Sequence, residues 1–252
     1  MTKSFDRIAD KFDETRSLPQ ETMSVVVDAL EWAMPPGSSV LDAGVGTGRF
    51  ALPLQHRGFE VVGADVSTRM MERAAAKGFR DLFKSDVCAL PFKDQAFDYA
   101  LSVHLIHLVP QWRCALGEIG RVTRGDLISV VTDRRNSATE EIRTAYRDSC
   151  RRLGFEVRHI APGERELTEL LPPDSKSKLA VRKEPLDVRR LLDNYESRTL
   201  SEHWDVPEDV HARAVGELRE RYGGVDELAV VEDLFMLRWR ADRLREFARS
   251  QG

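Results

Sequence analysis

Between Ser38 and Val131, short apolar runs alternate with segments whose apolar residues recur every three or four positions. That is the rhythm of parallel strands joined by crossover helices. Val40-Leu41-Asp42 and Val61-Val62-Gly63-Ala64-Asp65 read as two buried strands, each ending on a carboxylate. The pattern predicts a third strand over 81–85, a fourth within 97–103 and a fifth over 126–132. A helix is expected over 68–77, with Met70, Met71, Ala74 and Ala75 on one side, Ser67 as its cap and Gly78 closing it. A second is expected over 110–121, with Trp112, Leu116 and Ile119 turned inward.

Beyond 134 the rhythm breaks. Ser137-x-x-Glu140 is a capping box that opens a helix whose Ile142, Ala145, Tyr146, Ser149 and Leu153 share a face, and Gly154 stops it. A short helix over 164–171 runs into Pro172-Pro173. The stretch 134–178 is expected to be one insertion after the fifth strand. Strand character returns at 178–182 and 228–239, expected as an antiparallel edge, with helices over 187–195 and 207–222 between them and a charged helix over 241–249. A chain of 252 residues builds one sizeable core with a small accessory element, so 1–252 is expected to be a single domain.

The first strand runs into Asp42-Ala43-Gly44-Val45-Gly46-Thr47-Gly48-Arg49-Phe50. Glycines at alternate positions let the backbone approach a ligand where a Cβ would collide. A dinucleotide fingerprint wants its third glycine at position 49, which is Arg49, and a Walker loop wants Gly-Lys-Ser/Thr, whereas Arg49 and Phe50 follow Gly48. The acid ending the second strand, Asp65, stands about 20 residues on, where this fold class places the acceptor for the ribose hydroxyls. Further along come Ser85-Asp86-Val87-Cys88-Ala89-Leu90-Pro91-Phe92 and Gln95-Ala96-Phe97-Asp98. The acidic-x-Gly-x-Gly-x-Gly turn resembles the first motif of the class I S-adenosylmethionine-dependent methyltransferases of small-molecule type, and the Asp86 block resembles that family's "D-x-x-x-L-P-F-x-D-x-x-F-D" stretch.

The resemblance covers roughly residues 5–131 and fades after that. It implies an α/β fold: a Rossmann-like, doubly wound, seven-stranded mixed sheet of order 3-2-1-4-5-7-6 with a helical lid and cap. It implies S-adenosyl-L-methionine as cofactor, held by Asp42, Gly44, Gly46, Gly48, Asp65, Val66, Met70, Asp86, Val87, Ser102, Val103 and His107. Asp86 would accept from the adenine amino group. Phe5-Asp6-Arg7-Ile8-Ala9-Asp10-Lys11-Phe12-Asp13-Glu14-Thr15-Arg16 is similar to the family's amino-terminal lid, expected over 1–30. The lid would bring Phe12 and Arg16 to the cofactor and Phe5 to the acceptor; both aromatic positions are phenylalanine and lack a phenolic donor. The 134–178 insertion occupies the place of the family's cap and is expected to set substrate choice.

Charge and cysteine usage narrow the partners. The 38 basic and 42 acidic residues give a net charge of −4, which supplies no general attraction to nucleic acid or anionic membrane. No apolar run approaches the roughly 18 residues of a membrane span, and the first residues lack the apolar stretch of a signal peptide, so a cytoplasmic protein is expected. Cys88, Cys114 and Cys150 are isolated in sequence, with no metal-ligand spacing, and are expected to be reduced thiols; their scatter also disfavours arsenite as acceptor.

Methyl transfer from a sulfonium needs alignment of donor and acceptor and, for a hydroxyl or thiol, removal of a proton. His104 and His107, just after the fourth strand, are the candidate catalytic bases; the other reading of each is a binding or packing histidine. Arg198, His203 and Trp204 form a polar-aromatic segment that would face the acceptor if it closes over the site, and an arginine there would suit an anion. The segment after the fourth strand lacks the Asn/Asp-Pro-Pro-Tyr signature of enzymes that methylate amino groups of DNA and protein glutamine. The expected function is methylation of a small molecule at O, N or C, by a monomer or homodimer. The alternatives are an RNA or tRNA methyltransferase and a non-catalytic S-adenosylmethionine-binding protein.

Overall fold

A computed structural model of the chain describes residues 4–16, 18–134, 137–158 and 160–250. Residues 1–3 and 17 of the expected lid, and 135, 136 and 159 of the expected insertion, lie outside them. In chain order the elements are a 3-10 helix Asp6–Lys11, α1 Phe12–Arg16, α2 Gln20–Ala33, β1 Ser39–Ala43, α3 Ala51–His56, β2 Glu60–Asp65, α4 Thr68–Ala76, β3 Leu82–Lys84 and β4 Tyr99–Leu101. After a 3-10 turn at Ile106–Leu108 come α5 Trp112–Val122, β5 Asp126–Asp133, α6 Ala138–Arg152, α7 Glu164–Leu170 and β6 Ser175–Asp187. Then follow α8 Val188–Glu196, a 3-10 turn at Ser201–His203, α9 Glu208–Tyr222, β7 Glu227–Arg240 and α10 Ala241–Arg249.

The strands form one seven-stranded sheet of order β3-β2-β1-β4-β5-β7-β6, the order the resemblance implies. β1, at its centre, runs parallel to β2 and β4, with Leu41 opposite Val62 and Ala100. At the far edge Asp174 N donates to Arg238 O and Val188 N to Asp226 O, so β6 and β7 are antiparallel, as expected. β6 is far longer than the 178–182 read from sequence, because alternating exposed charges are cheap on an edge strand. Its lysines and Pro185 suit an edge that must not recruit another strand.

Two compact units emerge: residues 1–131, 160–180 and 235–252, and residues 132–159 with 181–234. The stretch 134–178, read as one insertion, therefore divides: α6 joins the second unit, while α7 stays with the sheet-bearing unit. The long strands β6 and β7 pass from one unit to the other, which is how two distant segments, 132–159 and 181–234, come to share one core.

In the first unit Leu41, Ala100, Leu127 and Leu237 pack with Trp112, Leu116 and Ile119 of α5 and Leu244 of α10. Gly120 is what lets α10 lie so close to α5: a Cβ there would stand 2.9 Å from Ala241 O and 3.0 Å from Leu244 Cβ. In the second unit Ile142 and Tyr146 of α6, Val188, Leu192 and Tyr195 of α8, and Leu218 of α9 form a separate core. Helix ends follow the sequence signals. Ser67 Oγ accepts from Met70 N, Ser137 Oγ from Glu140 N and Asp187 Oδ1 from Arg190 N. No helix among the described residues is long and apolar enough to cross a membrane.

Candidate active site

The turn after β1 is built from three left-handed glycines, Gly44, Gly46 and Gly48, at φ 79°, 55° and 75°. Side chains are strained in that region, so this path requires glycine. Asp65, at the end of β2, ties the turn to the next one: Oδ2 accepts from Gly46 N at 2.9 Å and Oδ1 from Ser67 N at 2.8 Å. An ionised carboxylate offers about four lone-pair directions, so Asp65 retains capacity for a diol. Asp42 lies deeper, 4% exposed. Burial first, and then the charge of Asp65, push its carboxyl up to about 7 against the pull of Arg49. Burial also raises Asp65, opposed by the amides of Ser67 and Gly46.

Asp86 is exposed beyond β3, with Oδ1 accepting from Cys88 N, and Val87 is buried beside it. Met70 is buried, its Cε standing 3.3 Å from where a Gly46 Cβ would be. Val66 is half-buried at the end of β2. The sequence-predicted cofactor residues of the first three strand ends thus converge on one edge of the sheet, as the parallel register requires. One sequence reading changes here. Cys88 and Cys114, far apart in sequence, are neighbours, with Cys114 Sγ donating to Cys88 O, because α5 packs back against the segment after β3.

The amino-terminal segment is anchored to this edge. Asp6 accepts from Ser67 Oγ and Arg69 N, Asp10 pairs with Arg69 and Arg73, and Asp13 binds Thr47 Oγ1 at 2.6 Å and pairs with Lys77. Arg49 donates to Arg16 O, and Phe5 and Phe12 meet edge to face at 5.8 Å. Sequence reading fixed on the phenylalanines and missed the carboxylates. The signal was present: Asp6, Asp10 and Asp13 share one helical face, and so do Arg69, Arg73 and Lys77.

After β4 the chain makes a bend in which His104 takes a left-handed backbone, φ 57°. His107 follows on the 3-10 turn, so the two imidazoles do not share one regular helical turn; their ring centroids are 6.5 Å apart. Both line a cavity that also includes Ser102, Ser129, Glu164 and Trp239. Leu105 forms part of its wall and also fills the space over Gly44, where a Cβ would meet Leu105 Cδ1 at 2.9 Å. Val103, half-buried, lies between Ser102 and this bend. His104 Nδ1 is hydrogen-bonded to Glu164 Oε1, a partner that sequence reading did not single out.

Arg198, His203 and Trp204 belong to the second unit. Arg198 donates to His203 O at 3.0 Å and to Val206 O at 2.8 Å, and pairs with Glu208. Trp204 Nε1 donates to Arg198 O. His203 is fully buried, its ring 4.8 Å from that of Tyr146 and 4.6 Å from that of Tyr195. The segment is a polar core holding α8 to α9, in which Arg198 is already engaged by two backbone carbonyls and a carboxylate.

Residues 41–128, from β1 into β5, match a family model described as a methyltransferase domain. The chain is 32% identical over 150 residues to a demethylmenaquinone methyltransferase of Renibacterium salmoninarum, covering 56% of this chain and 62% of that protein. It is 30% identical over 148 residues to a malonyl-[acyl-carrier protein] O-methyltransferase of Salmonella typhimurium, covering 57% of each. The chain thus spans about three fifths of the length of these relatives. Among solved structures, the YcgJ protein of Bacillus subtilis superposes with a TM-score of 0.54 at 17% identity, over 88% of this chain and 99% of that one, which speaks for the fold. Residues 41–128, which carry the glycine turn and its strand-end acids, are thus similar to a methyltransferase domain.

Proposed function

We propose that this chain transfers the methyl group of S-adenosylmethionine to a small-molecule acceptor. The observation that carries this reading is the left-handed glycine turn with Asp65 bridging it to the start of α4. Any side chain on that turn would obstruct a nucleoside, and an acid held by two backbone amides is preorganised to accept from ribose hydroxyls. In this reading Gly44, Gly46 and Gly48 admit the cofactor, Asp65 takes the ribose and Asp86 the adenine. Phe12, Arg16, Asp42, Val66, Met70, Val87, Ser102, Val103 and His107 complete the walls. The cofactor supplies an already activated methyl group; the chain aligns it, excludes water and receives any proton the acceptor must lose.

The amino-terminal segment is the lid, its carboxylates fastening it to α4 and the glycine turn. Phe5 is the one predicted acceptor contact that stays within the sheet-bearing unit. A net charge of −4 supports a small molecule over RNA or tRNA, and we read the protein as cytoplasmic and as a monomer or homodimer. Incubation with radiolabelled S-adenosylmethionine and separated small-molecule and RNA fractions tests this. Label in the small-molecule fraction is the expected result. Label in RNA refutes the choice of acceptor, and cofactor binding with no transfer to any fraction favours the non-catalytic binding protein.

A further inference from the structure

Glu164, the first residue of α7, lies 60 residues from His104 and is bonded through Oε1 to its Nδ1. An ionised carboxylate only accepts, so Nδ1 carries a proton, and in the neutral ring Nε2 keeps its lone pair. His104 reaches this arrangement from a left-handed backbone, φ 57°, a conformation rare for residues with a Cβ and found where the surroundings enforce it. The pair is only partly exposed, with side chains 34% and 26% accessible, so solvent screens it incompletely.

In the same cavity Ser102 Oγ is buried and has no hydrogen-bond partner. A buried hydroxyl left unpaired is costly and calls for a ligand or an ordered water. The remaining walls are mainly apolar, among them Leu127, Val131, Leu167 and Leu237. An apolar cavity with a few convergent polar groups is the usual form of a small-molecule site. Leu105 lines it and also covers Gly44, which puts it beside the glycine turn.

We propose that Glu164 is a positioning residue that presents His104 Nε2 as a proton acceptor, and that the cavity takes a compact apolar acceptor whose neutral hydroxyl pairs with Ser102 Oγ. This deepens the methyltransferase reading and rests on it. The acceptor's O–H proton passes to His104 Nε2 while its oxygen lone pair forms the new O–C bond. The S–C bond of the donor breaks with its electron pair retained on sulfur, which neutralises the sulfonium. The imidazolium is stabilised by the Glu164 carboxylate and later yields its proton to water. A neutral amine or a thiolate is nucleophilic without such help, so a carboxylate-oriented base points to a hydroxyl.

The test uses the cofactor-free full chain with 15N-labelled histidine. Wild-type His104 should be the Nδ1–H tautomer. Glu164→Ala should move it to the Nε2–H form favoured by free imidazole, and Glu164→Gln, whose carbonyl oxygen still accepts, should preserve it. Phenol, used as the probe, should shift the His104 Nε2 resonance, and Ser102→Ala should weaken phenol binding roughly three- to tenfold, the loss of one neutral hydrogen bond. An Nε2–H tautomer in the wild type, or a tautomer indifferent to Glu164→Ala, overturns the positioning role; an unmoved Nε2 resonance overturns the hydroxyl pocket. Calorimetry with S-adenosylmethionine on the same samples separates the two levels. Cofactor binding beside a negative tautomer result removes the dyad alone, whereas a folded wild type that binds no cofactor removes the methyltransferase reading and the dyad with it.

Discussion

Asp42→Asn isolates the electrostatics of the strand-end acids. Asp42 is 4% exposed, and burial, then the charge of Asp65, raises its carboxyl from 3.8 to about 7. The folded chain therefore binds this proton more tightly than the unfolded chain does. The resulting stabilisation is complete below about pH 4 and is lost as pH rises through about 7. A shift of about three units, at 1.36 kcal/mol each, corresponds to roughly 4 kcal/mol as an order of magnitude. Asparagine has nearly the same shape and cannot ionise. Wild type and variant should differ little near pH 4, and the variant should gain on the wild type by up to about 4 kcal/mol above pH 7. Asp65 remains in both proteins and largely cancels in the difference. Urea unfolding of the cofactor-free proteins at about pH 4.5, 6, 7 and 8 measures it through the midpoint at constant slope. A stability gap that does not change with pH refutes the argument. A cationic cofactor favours ionised Asp42, so its binding at about pH 6 should release a proton, visible as a binding enthalpy that depends on the buffer.

Asp65→Ala should weaken S-adenosylmethionine binding by about 2–3 kcal/mol, the value of hydrogen bonds to a charged acceptor; calorimetry on a folded variant with unchanged affinity would dismiss the assignment. Gly120→Val should destabilise the chain by about 2 kcal/mol through overpacking of α5 against α10, read in thermal unfolding, and a neutral effect would mean the two helices can separate at little cost. Hydrogen exchange in residues 6–16 should quicken as ionic strength rises, because the Asp10 and Asp13 pairs are exposed and screened by salt. It should slow when cofactor is added, and exchange indifferent to both would rule out an electrostatically fastened lid. His104→Gln should lower turnover by about 10²-fold, with cofactor affinity nearly intact, and His107→Gln should cost less; equal, mild effects in single-turnover transfer would remove His104 as the base.

β1 to β5 and the helices α4 and α5 were legible because their determinants are local. An apolar run of strand length, a serine cap and a closing glycine each act within a few residues, and the structure repeats them nearly residue for residue. β6 was under-read because its pairing with β7 is settled by a partner some fifty residues away, while its own lysines and Pro185 argue against a strand. The grouping of 132–159 with 181–234 has the same cause. No local signal states that two separate segments will share a core, and α7 between them packs with the sheet instead. The meeting of Cys88 with Cys114 and of His104 with Glu164 likewise depends on crossover packing, and spacing alone does not announce it.

The predicted acceptor residues show why side-chain type is a weak guide by itself. Arginine, histidine and tryptophan close together suggest a ligand, yet Arg198 spends its donors on two backbone carbonyls and a carboxylate, and the Trp204 indole spends its own on Arg198 O. His211 in the same core is similarly committed: Nε2 donates to Tyr195 O, which leaves Nδ1 to accept from Tyr146 OH at 2.6 Å, and burial holds the ring neutral by lowering its pKa. These are the bonds a polar core must make to repay burial. Ser102 is chemically far plainer, and its hydroxyl is buried without a partner. Tyr195 OH shares that condition, so an unpaired atom is not sufficient either. Ser102 differs in lining a cavity in which an oriented imidazole, apolar walls and Leu105, which covers Gly44, meet. An unmet hydrogen bond marks a site when there is room beside it for the molecule that would satisfy it, and here that room lies beside the glycine turn proposed to admit the methyl donor.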